Sequence, residues 1–120
     1  MTRPARSLDE LIDDLAGPDL NGRSRALALV LAHGRAALPG LLRTLGHADA
    51  EVRVLAAGGL AHLADPSCAD TFAGMLADPD ERIRAQGACG LARLHDPRAL
   101  DALIQTLDDD PDPLRHPTSP

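Results

Sequence analysis

Three arginines, Arg53, Arg84 and Arg115, stand 31 residues apart. A row of guanidiniums at one position of successive helices has the geometry to grip an anionic ligand through paired hydrogen bonds. The same spacing puts carboxylates beside each of them, at Asp49, Asp78, Asp80 and Asp109. The plainer reading is therefore a structural ladder in which each arginine pairs with loop carboxylates and ties one segment to the next. The acidic run Asp108-Asp109-Asp110 reads as a solvated turn. Five histidines, His33, His47, His62, His95 and His116, fall in different registers, so they do not make the convergent ligand set that a metal needs. No Gly-rich phosphate loop, Ser-His-Asp arrangement or paired catalytic carboxylates can be built from these spacings. The expectation is a chain with no catalytic residues, no metal and no cofactor.

The elements that must position these residues are set by a repeat. Val52 recurs as Ile83, Ala57 as Ala88, Leu60 as Leu91, Leu63 as Leu94, Asp65-Pro66 as Asp96-Pro97, Phe72 as Leu103 and Leu76 as Leu107, always 31 residues on. Such a period marks a solenoid, in which no unit buries its apolar stripe alone and neighbours stack into one core. First helices are predicted from about Asp49 to Leu63 and from Asp80 to Leu94, and second helices over about 66–77 and 97–108. Asp65-Pro66 and Asp96-Pro97 each supply an N-cap acceptor followed by a proline at the first helical position, where its missing N–H does no harm. Gly58, Gly59, Gly87 and Gly90 cost helix propensity, up to about 1 kcal/mol each. Their expected use is close approach of neighbouring helices.

Earlier in the chain the pattern loosens. After a polar lead, residues 1–6, Ser7 and Glu10 form a capping box before Leu8, Leu11, Ile12 and Leu15, and Gly17-Pro18 stops the helix. This half-unit, 7–17, serves as the N-terminal cap. Units follow at about 20–46, 49–77 and 80–108, within a single repeat domain over 7–110. In the first of them Arg25 matches Arg53 at a spacing of 28, which predicts a link through His33-Gly34-Arg35 about three residues short. Residues 111–120 read as an aborted repeat with a proline-rich tail: Leu114-Arg115 follows Ile83-Arg84 in register, and Pro117 and Pro120 stop it.

Composition narrows the function. The chain has 120 residues and a net charge of −6, concentrated in 48–120, where six arginines face thirteen acids. An acidic chain with Phe72 as its only aromatic residue repels phosphate backbones and offers no platform for stacking bases, so nucleic acid is not an expected partner. No apolar run spans a membrane, and no secretory signal is visible near Met1. With Cys68 and Cys89 as the only cysteines, the expectation is a cytoplasmic protein with reduced thiols. Arginine without lysine, beside abundant Ala, Gly, Pro and Leu, looks like bacterial GC-rich composition.

Asp49-x-x-Val52-Arg53 and Asp80-x-x-Ile83-Arg84, then small residues, Leu60-x-x-Leu63 and Leu91-x-x-Leu94, Asp-Pro, and an Ala/Leu-rich second helix resemble the HEAT-like repeats of the bilin-lyase type. The resemblance covers roughly 20–115. It implies an all-α, right-handed α-α superhelix, a short HEAT-like solenoid, with first helices on the convex side and second helices lining the concave side. HEAT-like deoxyhypusine hydroxylases carry His-Glu pairs that bind two irons, and no histidine here is followed by Glu. HEAT-like alkylpurine DNA glycosylases need a basic, aromatic-rich groove, which this composition does not supply.

The resemblance implies an adaptor surface more than an activity. With Phe72 and Leu76 inward, the second helices present rows Ala36/Ser67/Arg98, Pro39/Asp70/Asp101, Gly40/Thr71/Ala102, Arg43/Gly74/Gln105 and Thr44/Met75/Thr106. These residues are mostly small, so a helix or extended segment has room to lie against the backbone. The expected function is a non-catalytic protein-interaction or scaffold module whose partner binds this concave face, with weak homo-oligomer formation through the C-terminal end. The alternative is an enzyme or enzyme accessory, with a small-molecule cyclase-type pocket or a role as chromophore lyase subunit.

Overall fold

The computed structural model describes residues 7–108, with side chains as far as Ile104. Among these residues there are α-helices and short 3-10 turns and no strand. The helices are α1 (Leu8–Asp14), α2 (Leu20–Ala32), α3 (Leu38–Thr44), α4 (Ala50–Leu63), α5 (Ala69–Met75), α6 (Glu81–Arg93) and α7 (Arg98–Asp108). The fold is an all-α solenoid. Helices α2, α4 and α6 lie side by side as one layer. The other layer is α1, α3, α5 and α7, where α1 packs on α2, α3 on α4 and α5 on α6, while α7 packs back on α6.

Capping fixes where the first helices begin. The side chains of Asp19, Asp49 and Asp80 accept the amide two residues on, at 3.1, 2.9 and 2.9 Å, and so satisfy a donor that has no partner inside the helix. At α1 both halves of the capping box form, with the Glu10 amide donating to Ser7 Oγ at 3.2 Å. First helices end through a left-handed residue at Gly34, Ala64 and His95, spaced 30 and 31 residues apart, with φ of 60°, 47° and 57°. Only at Gly34 is that conformation free of a Cβ clash. The second helices of the first two units open on 3-10 turns, Gly34–Ala37 and Pro66–Cys68.

The first unit is in a different register from the one expected. Arg23, not Arg25, is the counterpart of Arg53. The Arg23 guanidinium donates to the carbonyl of Gly17, as Arg53 does to His47 and Arg84 to Asp78, six residues back in every case. The caps Asp19, Asp49 and Asp80 agree, so the first unit is shorter by one residue and the three-residue deletion predicted around His33-Gly34-Arg35 is not there.

Helices α3 and α5 each drive one ridge residue into the first-layer helix that follows. Leu41 of α3 and Phe72 of α5 are fully buried. Burial of such a side chain is worth roughly 1.5–3 kcal/mol. A Cβ on Gly59 of α4 would lie 3.4 Å from the Leu41 methyls, and one on Gly90 of α6 would lie 2.6 Å from the Phe72 ring. Gly87 is tighter still against the backbone, since its Cβ would stand 2.6 Å from the Phe72 carbonyl oxygen.

Candidate functional site

The arginine ladder exists, and it is bonded otherwise than the sequence suggests. Arg53 Nη1 donates to the carbonyls of His47 and Ala48 at 2.7 and 3.0 Å, and Arg84 Nη1 to those of Asp78 and Pro79 at 2.8 and 3.1 Å. These arginines therefore stitch backbone carbonyls of the preceding loop, where pairing with the carboxylates of Asp49 and Asp80 was expected. A guanidinium is suited to this because one Nη carries two N–H donors, one for each of two adjacent carbonyls. Arg115 lies outside the described residues.

The carboxylates find other arginines. Arg82 holds Asp80 through two hydrogen bonds, at 3.2 and 2.9 Å, and reaches Glu51 Oε1 at 2.8 Å. Arg98 holds Asp96 in the same manner, at 3.0 and 2.8 Å, and its Nη1 lies 3.4 Å from Asp70. Hydrogen bonding by Arg98 side chain and amide pulls the Asp96 pKa down to about 2, and Arg82 depresses Asp80 by the same means. Asp65 is buried and accepts from the Ser67 hydroxyl at 2.6 Å, the Ser67 amide at 2.9 Å and Arg35 Nε at 2.8 Å. The Ser67 bonds hold its pKa low against desolvation, with Arg35 adding to the effect. Each of these groups has a hydrogen-bond partner within the chain.

The rows of the second helices divide cleanly by exposure. Pro39, Asp70 and Asp101 are exposed, as are Ala36, Ser67, Arg43 and Gly74, with Arg98 half-exposed. The other two rows turn inward: Gly40, Thr44, Met75 and Ala102 are buried and Thr71 is half-buried. Gly40 is small because Ile12 of α1 lies against it, 2.8 Å from where a Cβ would stand. Met75 packs on Gly87 of α6, again 2.7 Å from a Cβ position there. The Thr44 hydroxyl is spent on the Gly40 carbonyl at 2.8 Å. Gly40, Thr44, Met75 and Ala102 are thus core positions, where an exposed face was expected. The side chains of Gln105 and Thr106 lie outside the described part.

What remains outward is a face of alternating small and charged residues. Arg43 stands 3.9 Å from Asp9 of α1, and Arg98 bridges to Asp70 of α5, so neighbouring second helices are linked by exposed ion pairs. Such pairs contribute between about 0 and 1 kcal/mol. Gly74, between them on α5, is exposed, and a Cβ there would meet nothing within 4 Å. An apolar stretch at the C-terminal end of the described residues adjoins this face. Leu100, Leu103 and Ile104 of α7 are 63%, 52% and 50% exposed, although Phe72, the counterpart of Leu103, is fully buried.

A cavity of about 140 Å³ lies in the first layer, between α2 and α4, lined by Leu20, Arg23, Ser24, Glu51, Val54 and Leu55. Among the described residues no group of three His, Cys, Asp or Glu is placed to hold a metal ion. Cys68 is buried, which pushes its thiol pKa up, and Cys89 is exposed on α6. Among the described residues no helix is long and apolar enough to cross a membrane.

Helix pairs stacked at a period of 31 residues, with aspartate caps and glycine-lined junctions, meet their counterpart in a comparison with known families: residues 38–117 match the family described as HEAT repeats. The chain belongs to the HEAT repeat family. The match takes in α3 to α7 and leaves α1 and α2 outside it. No curated protein matches the chain. HEAT repeats commonly serve as protein-interaction modules.

Proposed function

We propose that this HEAT-repeat chain is a non-catalytic protein-interaction or scaffold module that takes its partner on the outward face of its second helices. The face consists of Pro39 and Arg43 on α3, Ser67, Asp70 and Gly74 on α5, and Arg98 and Asp101 on α7. The observation that carries this reading is Gly74. A glycine inside a helix costs roughly 0.5–1 kcal/mol relative to alanine. At Gly87 and Gly90 close packing accounts for it, whereas at Gly74 nothing in the chain would touch a Cβ. A partner segment running close to the α5 backbone supplies the missing reason, with Asp70 and Arg98 on either side to fix its register. Both cysteines are free thiols, which suits a reducing, cytoplasmic setting.

Site-specific photo-crosslinking in the native host tests the reading. A photoreactive residue at position 70 is expected to capture one defined protein, and Gly74→Arg on the same chain is expected to abolish the product. The same residue at position 85, exposed on the first layer, should capture nothing comparable. Equal capture from both positions, or capture indifferent to Gly74→Arg, would remove the second-helix face from its role.

A further inference from the structure

The loops that lead into α2, α4 and α6 are built alike, except for one side chain. Each contains a residue whose carbonyl accepts from the arginine of the helix that follows, Gly17 from Arg23, His47 from Arg53 and Asp78 from Arg84. Two residues on stands the capping aspartate, Asp19, Asp49 or Asp80. The backbone amide of a capping residue lies outside the helix and needs an acceptor of its own. Before α6 the Asp80 amide donates to the Asp78 carboxylate at 2.8 Å, and before α4 the Asp49 amide donates to His47 Nδ1 at 2.9 Å. Gly17 has no side chain to offer the Asp19 amide. One position of the repeat thus carries, in chain order, no side-chain acceptor, a titrating acceptor and a carboxylate.

We propose that His47 is a pH-sensitive latch on the loop between α3 and α4, closed while its ring is neutral and released when the ring takes up a proton. An imidazole nitrogen accepts a hydrogen bond only while unprotonated, and a neutral ring that accepts at Nδ1 carries its proton at Nε2. Protonation sets a hydrogen on Nδ1, facing the Asp49 N–H, and the bond is lost. Histidine is the side chain that changes charge between about pH 5 and 8, whereas a carboxylate remains an acceptor through that range. His47 is exposed, so solvent protons reach it directly. The charged groups around the loop do not restore the bond. Arg53 of α4 donates to the His47 carbonyl and its charge reaches Asp80 in the next loop, while Arg23 of α2 lies 3.9 Å from Asp49 Oδ2. The anion nearest in sequence is Asp49 itself, whose Oδ1 accepts the Glu51 amide at 2.9 Å. A charged ring drawn to that carboxylate leaves the Asp49 amide without its acceptor. The stabilisation from the bond is therefore present while His47 is neutral and is lost as pH falls through the titration of the ring. Acid loosens the joint between the first and second units and spares the joint between the second and third. The latch does not depend on what the second-helix face binds.

Side-chain ¹H–¹⁵N correlation spectra of the full chain at about pH 8 read the closed latch, since they show which ring nitrogen carries the proton. His47 is expected as the Nε2–H tautomer. Titration to about pH 5 is then expected to move the Asp49 amide resonance with the same midpoint as the His47 ring. Over the same range, exchange of that amide with water, divided by its unstructured rate, should rise about three- to tenfold, as the loss of one ordinary hydrogen bond requires. The Asp80 amide should show neither change. Two variants separate a latch from a charge that only passes nearby. His47→Asp, which copies the next loop, is expected to remove the response at Asp49, and Asp78→His to create one at Asp80. An Nδ1–H tautomer at about pH 8, or an Asp49 amide indifferent to the titration of the ring, overturns the proposal on the wild-type chain alone. So does a response at Asp49 that survives His47→Asp, or an Asp80 amide unmoved in an Asp78→His chain whose circular dichroism is that of the wild type.

Discussion

The junction of α3 with α4 and the junction of α5 with α6 are the same contact made twice, with different ridge residues. At the first the ridge is Leu41, and α4 meets it with Ala56 and Gly59. At the second the ridge is Phe72, and α6 meets it with Gly87 and Gly90, at the positions of Ala56 and Gly59. A Cβ added at Gly59 would meet only methyl groups, Leu27 Cδ1 at 3.1 Å and the Leu41 methyls at 3.4 Å, which rotate aside. One added at Gly90 would meet three atoms of a flat ring at 2.6–2.7 Å, and one at Gly87 would meet backbone. The bulkier ring is thus met by a strictly required glycine at Gly90, while Gly87, standing where α4 has Ala56, is required by the Phe72 backbone and Met75. A repeat position conserves its geometry and lets two side chains on opposite helices trade volume.

This comparison is broken most severely at Gly90. Gly90→Ala is expected to destabilise the chain by about 1–3 kcal/mol, the usual cost of overpacking. Gly59→Ala is expected to be close to neutral, because gained helix propensity of about 1 kcal/mol offsets a soft contact. Urea unfolding followed by circular dichroism separates the two, and equal losses at both positions would show that the ring does not set the requirement. A sharper form is the double variant. Phe72→Leu should rescue part of Gly90→Ala, with a coupling of about 0.5–3 kcal/mol in a double-mutant cycle.

A smaller effect is expected where the units differ in strain. Gly34 takes the left-handed turn that Ala64 takes one unit later. Ala64→Gly should stabilise by up to about 1 kcal/mol, because the left-handed Cβ penalty of roughly 1–2 kcal/mol exceeds the entropy that glycine adds to the unfolded chain. Thermal denaturation reads this as a rise in Tm, and a fall would mean that Ala64 packing outweighs its backbone.

The smallest effect concerns acid. Asp96 has its pKa lowered to about 2 from an ordinary value of 3.8. A carboxylate with a depressed folded pKa contributes stability that is fully present above the unfolded pKa and is lost as pH falls through the folded one. The stability difference between the wild type and Asp96→Asn should thus be constant above about pH 5 and shrink between about pH 4 and pH 2. A difference unchanged by acid would mean that the Arg98 bonds do not act on the ionised form.

Much of the fold was legible because aspartate caps and the 31-residue period act locally. α4 and α6 begin one residue after Asp49 and Asp80, and α4 ends at Leu63, as the pattern implies. The first unit was misread because two arginines two residues apart compete for one place; the Asp19 cap four residues before Arg23 and the bond to the Gly17 carbonyl distinguish it from Arg25. The candidate surface was legible by half. In a helix as short as Ala69–Met75 the apolar pattern fixes which residue is the ridge but not the rotation about it. That rotation is set by Ile12 lying on Gly40 and by Gly87 lying on Met75, contacts between residues far apart in sequence. The C-terminal end, by contrast, was expected as a contact surface because the repeat there is interrupted by Pro117 and Pro120.

The bond between Glu51 and Arg82 joins residues 31 positions apart, which are the same position in consecutive units. If the two units carried the same residue there, like charge would stand beside like, carboxylate on carboxylate or guanidinium on guanidinium. Opposite charges now make that row an address, telling each unit which neighbour it follows. The energy is that of a surface pair, about 0–1 kcal/mol, too little to hold the stack together. Discrimination needs less, because like charges in the same place repel and the choice depends on the difference between the two. Lengthening this chain by inserting a second copy of 49–79 would set Glu51 against its own duplicate, whereas inserting 49–110 as a block keeps acid and base alternating. The two regular units thus have a reading order, and the natural module of extension is the pair.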